Sequence, residues 1–213
     1  TKYLGLTAAQ KPILYEAEGN DVLPGFPGKA LKTVDGKKVW GNGVYFRAFN
    51  KDVNDVYYPN ITEKPTNKDL VVSFSPSSNV QKYTYTIYKD NNAINSMTVS
   101  NNKSTNIYLD KTGIYHINVI TFDVTGKQTA VNSGNYVIDK EAPTLNVGED
   151  YLELYKGEKI LVNEGVYAKD NYDGNITSNI MNNAKDLDLN AVGNHKLTYT
   201  VSDEAGNVAT KSV

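Results

Sequence analysis

Residues 113–127 read GIYHINVITFDVTGK, and residues 193–207 read GNHKLTYTVSDEAGN. At an offset of 80 residues and without a gap, Gly113 meets Gly193, Ile117 meets Leu197, Val119 meets Tyr199, Thr121 meets Val201, Asp123 meets Asp203 and Gly126 meets Gly206. In each copy a glycine opens a stretch of alternating apolar residues, the period of a strand with one buried face. The strand then closes in an Asp-x-x-Gly turn, where the carboxylate can accept from backbone amides two residues on and the glycine can take positive φ. A self-match at fixed offset signals a repeated structural unit. The chain therefore holds the same strand pair twice, in two domains.

The residues around the repeat keep the same rhythm. Stretches 70–74 (LVVSF), 83–88 (YTYTIY) and 114–122 are strand-length alternations separated by turn residues. The best helix candidate, residues 6–10, runs into Lys11-Pro12 and is too short to stand alone. Sixteen tyrosines suit pleated, half-buried surfaces. The fold class is all-β, and strands recurring about every ten residues are the spacing of a sandwich or barrel.

Composition excludes several functions. With 213 residues the chain can bury a core without crosslinks, and zero cysteines remove disulfides, thiolate nucleophiles and cysteine-based zinc sites. Lys and Arg number 22 against 24 Asp and Glu, so no basic footprint points to nucleic acid. No apolar run approaches the roughly 20 residues of a membrane helix, so membrane insertion is not expected. A chain opening at Thr1 without Met reads as an excised fragment, which makes its lack of a targeting segment uninformative.

Between the two copies, residues 137–144 (VIDKEAPT) pass from a strand end through a charged linker into proline, which interrupts a ladder and stiffens a joint. The expected organisation is residues 1–35 as a lead-in or extra hairpin, 36–142 as a first sandwich and 143–213 as a second.

These residues resemble a known family. Asp110-x-x-Gly113-x-Tyr115-x-Ile117 looks like an immunoglobulin F strand, with Tyr115 at the tyrosine-corner position and Ile117 where a disulfide-bonded domain carries cysteine. In the second copy His195 and Leu197 take those positions. The second domain is similar to the bacterial immunoglobulin-like repeats, group 3, of Gram-positive surface proteins. That similarity rests on Ala142-Pro143-Thr144-Leu145, on residues 165–177 (GVYAKDNYDGNIT), and on Val192-Gly193 leading to TYTVSDEAGN at 198–207. The first domain matches more loosely, through its F and G strands and its YVIDKEAPT exit. The resemblance implies two tandem immunoglobulin-like antiparallel β-sandwiches on a secreted or wall-attached Gram-positive protein, monomeric within a longer chain. Such repeats space, display or bind, with a cell-wall glycan, host glycan or surface protein as partner. They often accompany a cell-wall or polysaccharide enzyme elsewhere in the chain.

Catalysis finds little support. His116 and His195 lie in equivalent strands of different domains with opposite parity, and His195, in register with Leu197 and Tyr199, reads as a partly buried structural residue. No G-x-S-x-G elbow or phosphate loop is present. The chain is expected to be non-enzymatic and to need no cofactor, with calcium as the one exception to weigh. Asp170, Asp173 and Asn175 crowd one glycine-containing loop, and the turn at Asp203 offers further oxygens of the kind calcium takes. The loop is not an EF-hand, since Met181 stands where the bidentate glutamate belongs. The competing reading is an Asx-rich turn satisfying its own backbone. For carbohydrate binding, Trp40, Tyr57 and Tyr58 are the candidates, with Tyr57 and Tyr58 placed in a loop. Tyr83 and Tyr85 share parity with Ile87 and are equally at home in a core.

Overall fold

The computed structural model describes residues 31–34, 37–40, 44–51, 56–57, 64–77, 80–101, 103–159 and 161–213, with side chains described from Phe46 onward except at 51–63 where only Lys51 is included. The chain divides into two compact units, Thr1–Ile138 and Asp139–Val213. Every described sheet is antiparallel, and no α-helix occurs among the described residues. The all-β expectation holds.

In the first unit β1 (Leu31–Val34) pairs with β2 (Lys37–Trp40). The following strands are β3 (Val44–Asn50), β4 (Val56–Tyr57), β5 (Leu70–Pro76), β6 (Val80–Lys89), β7 (Asn92–Ser100), β8 (Thr105–Leu109), β9 (Gly113–Asp123), β10 (Gln128–Asn132) and β11 (Tyr136–Ile138). One sheet runs β4-β3-β5-β8; the other runs β10-β9-β6-β7, with β11 also paired to β9. Alternation decides which side chains meet between them. Phe46, Val72, Phe74 and Ile107 from the first sheet share a core with Tyr83, Tyr85, Ile117 and Val119 from the second. Phe74 sits at the centre, its ring 5.6 Å from Tyr83 and 5.7 Å from Tyr85 in edge-on contacts. Tyr83 and Tyr85 are thus core residues. Two sheets packed face to face on alternating residues make a sandwich.

Local chemistry explains the connections. Asp90 and Asn91, both at positive φ (49° and 65°), form the two-residue turn between β6 and β7 that matches strand twist. Tyr115 is buried, and its hydroxyl donates to the Lys111 carbonyl at 2.9 Å, the expected tyrosine corner. The Asp123 carboxylate accepts from the Thr125 and Lys127 amides, both at 2.9 Å, and Gly126 has φ +79°.

The second unit contains β12 (Thr144–Asn146), β13 (Tyr167–Asp170), β14 (Gly174–Asn175), β15 (Met181–Asn182), β16 (Thr198–Ser202) and β17 (Val208–Ser212), with 3₁₀ turns at Thr177–Asn179 and Ala184–Asp186. They form two three-stranded sheets, β12-β13-β14 and β15-β16-β17. Leu145, Val147, Ala168 and Ile176 from one side meet Leu197, Tyr199 and Val201 from the other. The repeated turn recurs: the Asp203 carboxylate accepts from the Asn207 amide at 2.7 Å, as Asp123 does from Lys127.

His195 departs from its expected half-buried place. Strand β16 begins only at Thr198, so the alternation does not reach His195, which is exposed. Its Nε2 lies 2.8 Å from the Ala191 carbonyl, four residues back, the same step that Tyr115 makes to Lys111. A carbonyl only accepts, so Nε2 carries the proton in this bond.

Candidate metal centre

Three aspartates converge within the second unit. Asp139 is its first residue, Asp170 ends β13 and Asp203 follows β16. One carboxylate oxygen from each lies within 4.8 Å of the other two, and the three residues are 2%, 3% and 7% exposed.

Backbone turns position each of them. Asp170 Oδ1 accepts from the amides of Tyr172 (2.8 Å) and Asp173 (2.9 Å), which folds the three-residue connection between β13 and β14, with Gly174 at φ +71° completing it. Asp139 Oδ1 accepts from the Glu141 amide at 3.0 Å. Asn207 ties two of the loops: its side-chain nitrogen donates to the Asp139 carbonyl (2.9 Å) and to Asp203 Oδ2 (2.7 Å). Asp173 Oδ2 links the other pair by accepting from the Glu204 amide at 2.6 Å. The donors in these bonds are all neutral amides.

The electrostatics are costly. At an effective dielectric of about 20, two unit charges this close repel by roughly 3 kcal/mol or more. Burial pushes the Asp139 carboxyl above the usual range; the Glu141 amide opposes that shift, the Asp170 charge adds to it, an Asn171 hydrogen bond opposes it, and the Asp203 charge adds to it again. Asp170 Oδ2 is buried without a hydrogen-bond partner. A buried polar oxygen left unmatched among three carboxylates is the arrangement a bound cation would relieve.

Of the four oxygen-bearing residues singled out in the sequence, the structure brings Asp170 and Asp203 together. Asp173 lies beside them as a strut to Glu204, and exposed Asn175 accepts from the Thr177 amide at 3.0 Å. Nothing in the sequence singles out Asp139, which sits in the charged linker between the two copies. Its distance along the chain from Asp170 and Asp203 leaves no local pattern to read.

The glycan candidates belong to the first unit. The side chains of Trp40 and Tyr57, and all of Tyr58, lie outside the described residues; the backbones of Trp40 and Tyr57 belong to β2 and β4. Tyr57 is not in a loop as expected, since Val56 and Tyr57 extend the sheet edge beside Phe49 and Ala48. A different aromatic surface exists in the second unit: a groove of about 680 Å³ lined by Tyr151, Leu154, Tyr155, Leu189, Val192 and His195. Tyr155 is 88% exposed there.

Comparison with known proteins places the second unit. No curated protein matches the chain. Among solved structures it is similar to the PmoD soluble domain from Methylocystis sp. ATCC 49242 (Rockwell), at 12% identity and TM-score 0.36 over 46% of this chain and 92% of that one, a likeness too low to bear on function. Residues 140–212, spanning β12 to β17, match the family described as bacterial surface protein, Ig-like domain, and so carry the pattern that residues 142–145, 165–177 and 198–207 implied.

Proposed function

We propose that the chain is a non-catalytic spacer and interaction module of a secreted or wall-attached bacterial surface protein, Gram-positive by the resemblance of its second unit. One observation carries this reading: the first residue of the second unit and the far end of β17 are held at opposite ends of one hairpin. Asp139 is held at the turn between β16 and β17 through Asn207, whereas Val213 pairs with Leu197, at 2.8 and 2.9 Å, beside the start of β16. The five residues of β16 separate Leu197 from Asp203, six residue steps or about 20 Å. A unit whose first residue and last strand end are held apart along one hairpin suits a spacer.

A second reading, a carbohydrate-binding accessory region, is favoured by the groove at Tyr151 and Tyr155. Tyrosine rings can stack on sugar faces while their hydroxyls stay wet. Co-sedimentation of the full chain with Gram-positive cell walls and insoluble polysaccharides separates the two. The spacer reading expects recovery in the supernatant. Saturable retention, abolished by Tyr155→Ala, would overturn it in favour of glycan binding.

A further inference from the structure

We propose that Asp139, Asp170 and Asp203 together bind one calcium ion, which pins the first residue of the second unit to two of its loops. Two observations converge on this site. Three carboxylates from distant parts of the sequence meet in a buried cluster with oxygens within 4.8 Å. Independently, Asp170 turns Oδ1 to two amides of its own turn and keeps Oδ2 buried with no hydrogen-bond partner. That second oxygen is the one left to meet a cation.

The donor set selects the ion. All three ligands are hard oxygens, and the chain has no cysteine. Its two histidines are engaged elsewhere, His116 stacked on Tyr88 and His195 bonded to the Ala191 carbonyl. Zinc and the softer transition metals therefore lack their preferred ligands. Calcium binds oxygen at about 2.3–2.6 Å, so oxygens on opposite sides of the ion stand up to roughly 5 Å apart, a range that includes the whole cluster. Magnesium, at about 2.0–2.1 Å, needs all its oxygens within about 4.2 Å in near-ideal octahedral order. Three carboxylates around a divalent cation leave one net negative charge, and water completes a coordination shell of six to eight.

Binding also explains the scaffolding around the cluster. Asn207 holds Asp203 and the Asp139 backbone, and Asp173 holds the Glu204 amide, so three loops are already gathered by hydrogen bonds from neutral amides. Calcium adds the ionic tie that those bonds lack.

The test is calcium titration of the EDTA-treated full chain by calorimetry, with magnesium at equal concentration for comparison, and thermal unfolding with and without calcium. One calcium per chain is expected, bound more tightly than magnesium. At calcium a hundredfold above its dissociation constant, the transition of the second unit should rise by about 10 °C. Asp170→Asn and Asp203→Asn keep side-chain shape while removing charge, and each should weaken binding about tenfold or more. Circular dichroism of these variants, matching that of the wild type without metal, shows that they remain folded. No calcium heat and no shift in the wild-type transition would overturn the proposal. So would magnesium preference, or unchanged affinity in the Asp170→Asn, Asp203→Asn double variant.

Discussion

The two units contain the same hairpin and stabilise it differently. In the first, β9 lies between β6 and β10, and its inward residues Tyr115, Ile117 and Val119 join a buried apolar cluster of seventeen described residues. In the second, β16 lies between β15 and β17 and contributes to a buried cluster of only seven described residues, with partly buried hydrophobic residues packed around it. A core that small leaves a 75-residue unit, Asp139–Val213, with little apolar burial to oppose chain entropy. The difference falls at the repeated turn. Asp123 is a simple cap at the end of its strand, whereas Asp203 caps the same turn and also faces two other buried carboxylates. One motif thus ends an apolar strand in one unit and gathers a polar cluster in the other.

Variants can break that comparison. Phe74→Ala, which empties the centre of the first sandwich, should cost about 3–5 kcal/mol in the first unit's unfolding transition and leave the second's in place. Differential scanning calorimetry reads both; loss of the two together would show that the units do not fold separately. Alkaline pH should follow the same division. Burial raises the Tyr83, Tyr115 and Tyr136 hydroxyls of the first unit above the ordinary value of 10.0, against Tyr199 in the second. A phenol whose folded value is raised gives up its proton more easily when unfolded. The folded state therefore binds more protons above about pH 10, and stability, full below that pH, falls as pH rises through the folded values. Denaturant melts between pH 9 and 11 should show the first unit losing more than the second; equal losses would contradict the assignment.

Smaller effects sharpen the match between the hairpins. Asp123→Ala removes a carboxylate that accepts from two amides and from the Thr125 hydroxyl, and should cost about 1–2 kcal/mol. Tyr115→Phe deletes the corner bond to Lys111 while keeping the ring, and about 1 kcal/mol is expected from chemical denaturation. His195→Ala removes an exposed bond of the same four-residue step and should cost about 0.5 kcal/mol or less. If His195→Ala cost as much as Tyr115→Phe, the second unit would have a working corner of its own.

Much of this architecture was legible in the sequence because it rests on local rules. Alternation through residues 70–74, 83–88 and 114–122 places β5, β6 and β9, since period-2 patterning needs only neighbours to be read. The Asp-x-x-Gly motif announces a carboxylate-capped turn: the amide two residues on donates to Asp123, and the amide four residues on donates in both copies. The limits are equally physical. Extending the alternation back to His195 fails because sheet pairing, not pattern, sets where a strand begins. Tyr57 reads as loop in the sequence because the two residues of β4 are too short to show a period, and only pairing with β3 makes them a strand. Half of the metal candidates converge because Asp170 and Asp203 are fixed by their own turns.

By itself, then, the sequence determined the all-β class, the repeated hairpin, the tyrosine corner at Tyr115 and the bacterial Ig-like resemblance of residues 140–212. Each of these is written in spacings of a few residues or in a motif. The tertiary structure alone decided that Asp139 joins Asp170 and Asp203, and that Asp170 Oδ2 is left buried without a partner. Such a cluster is made when three loops, more than thirty residues apart along the chain, close on one another. Nothing local distinguishes a carboxylate that will meet two others from one that will face water.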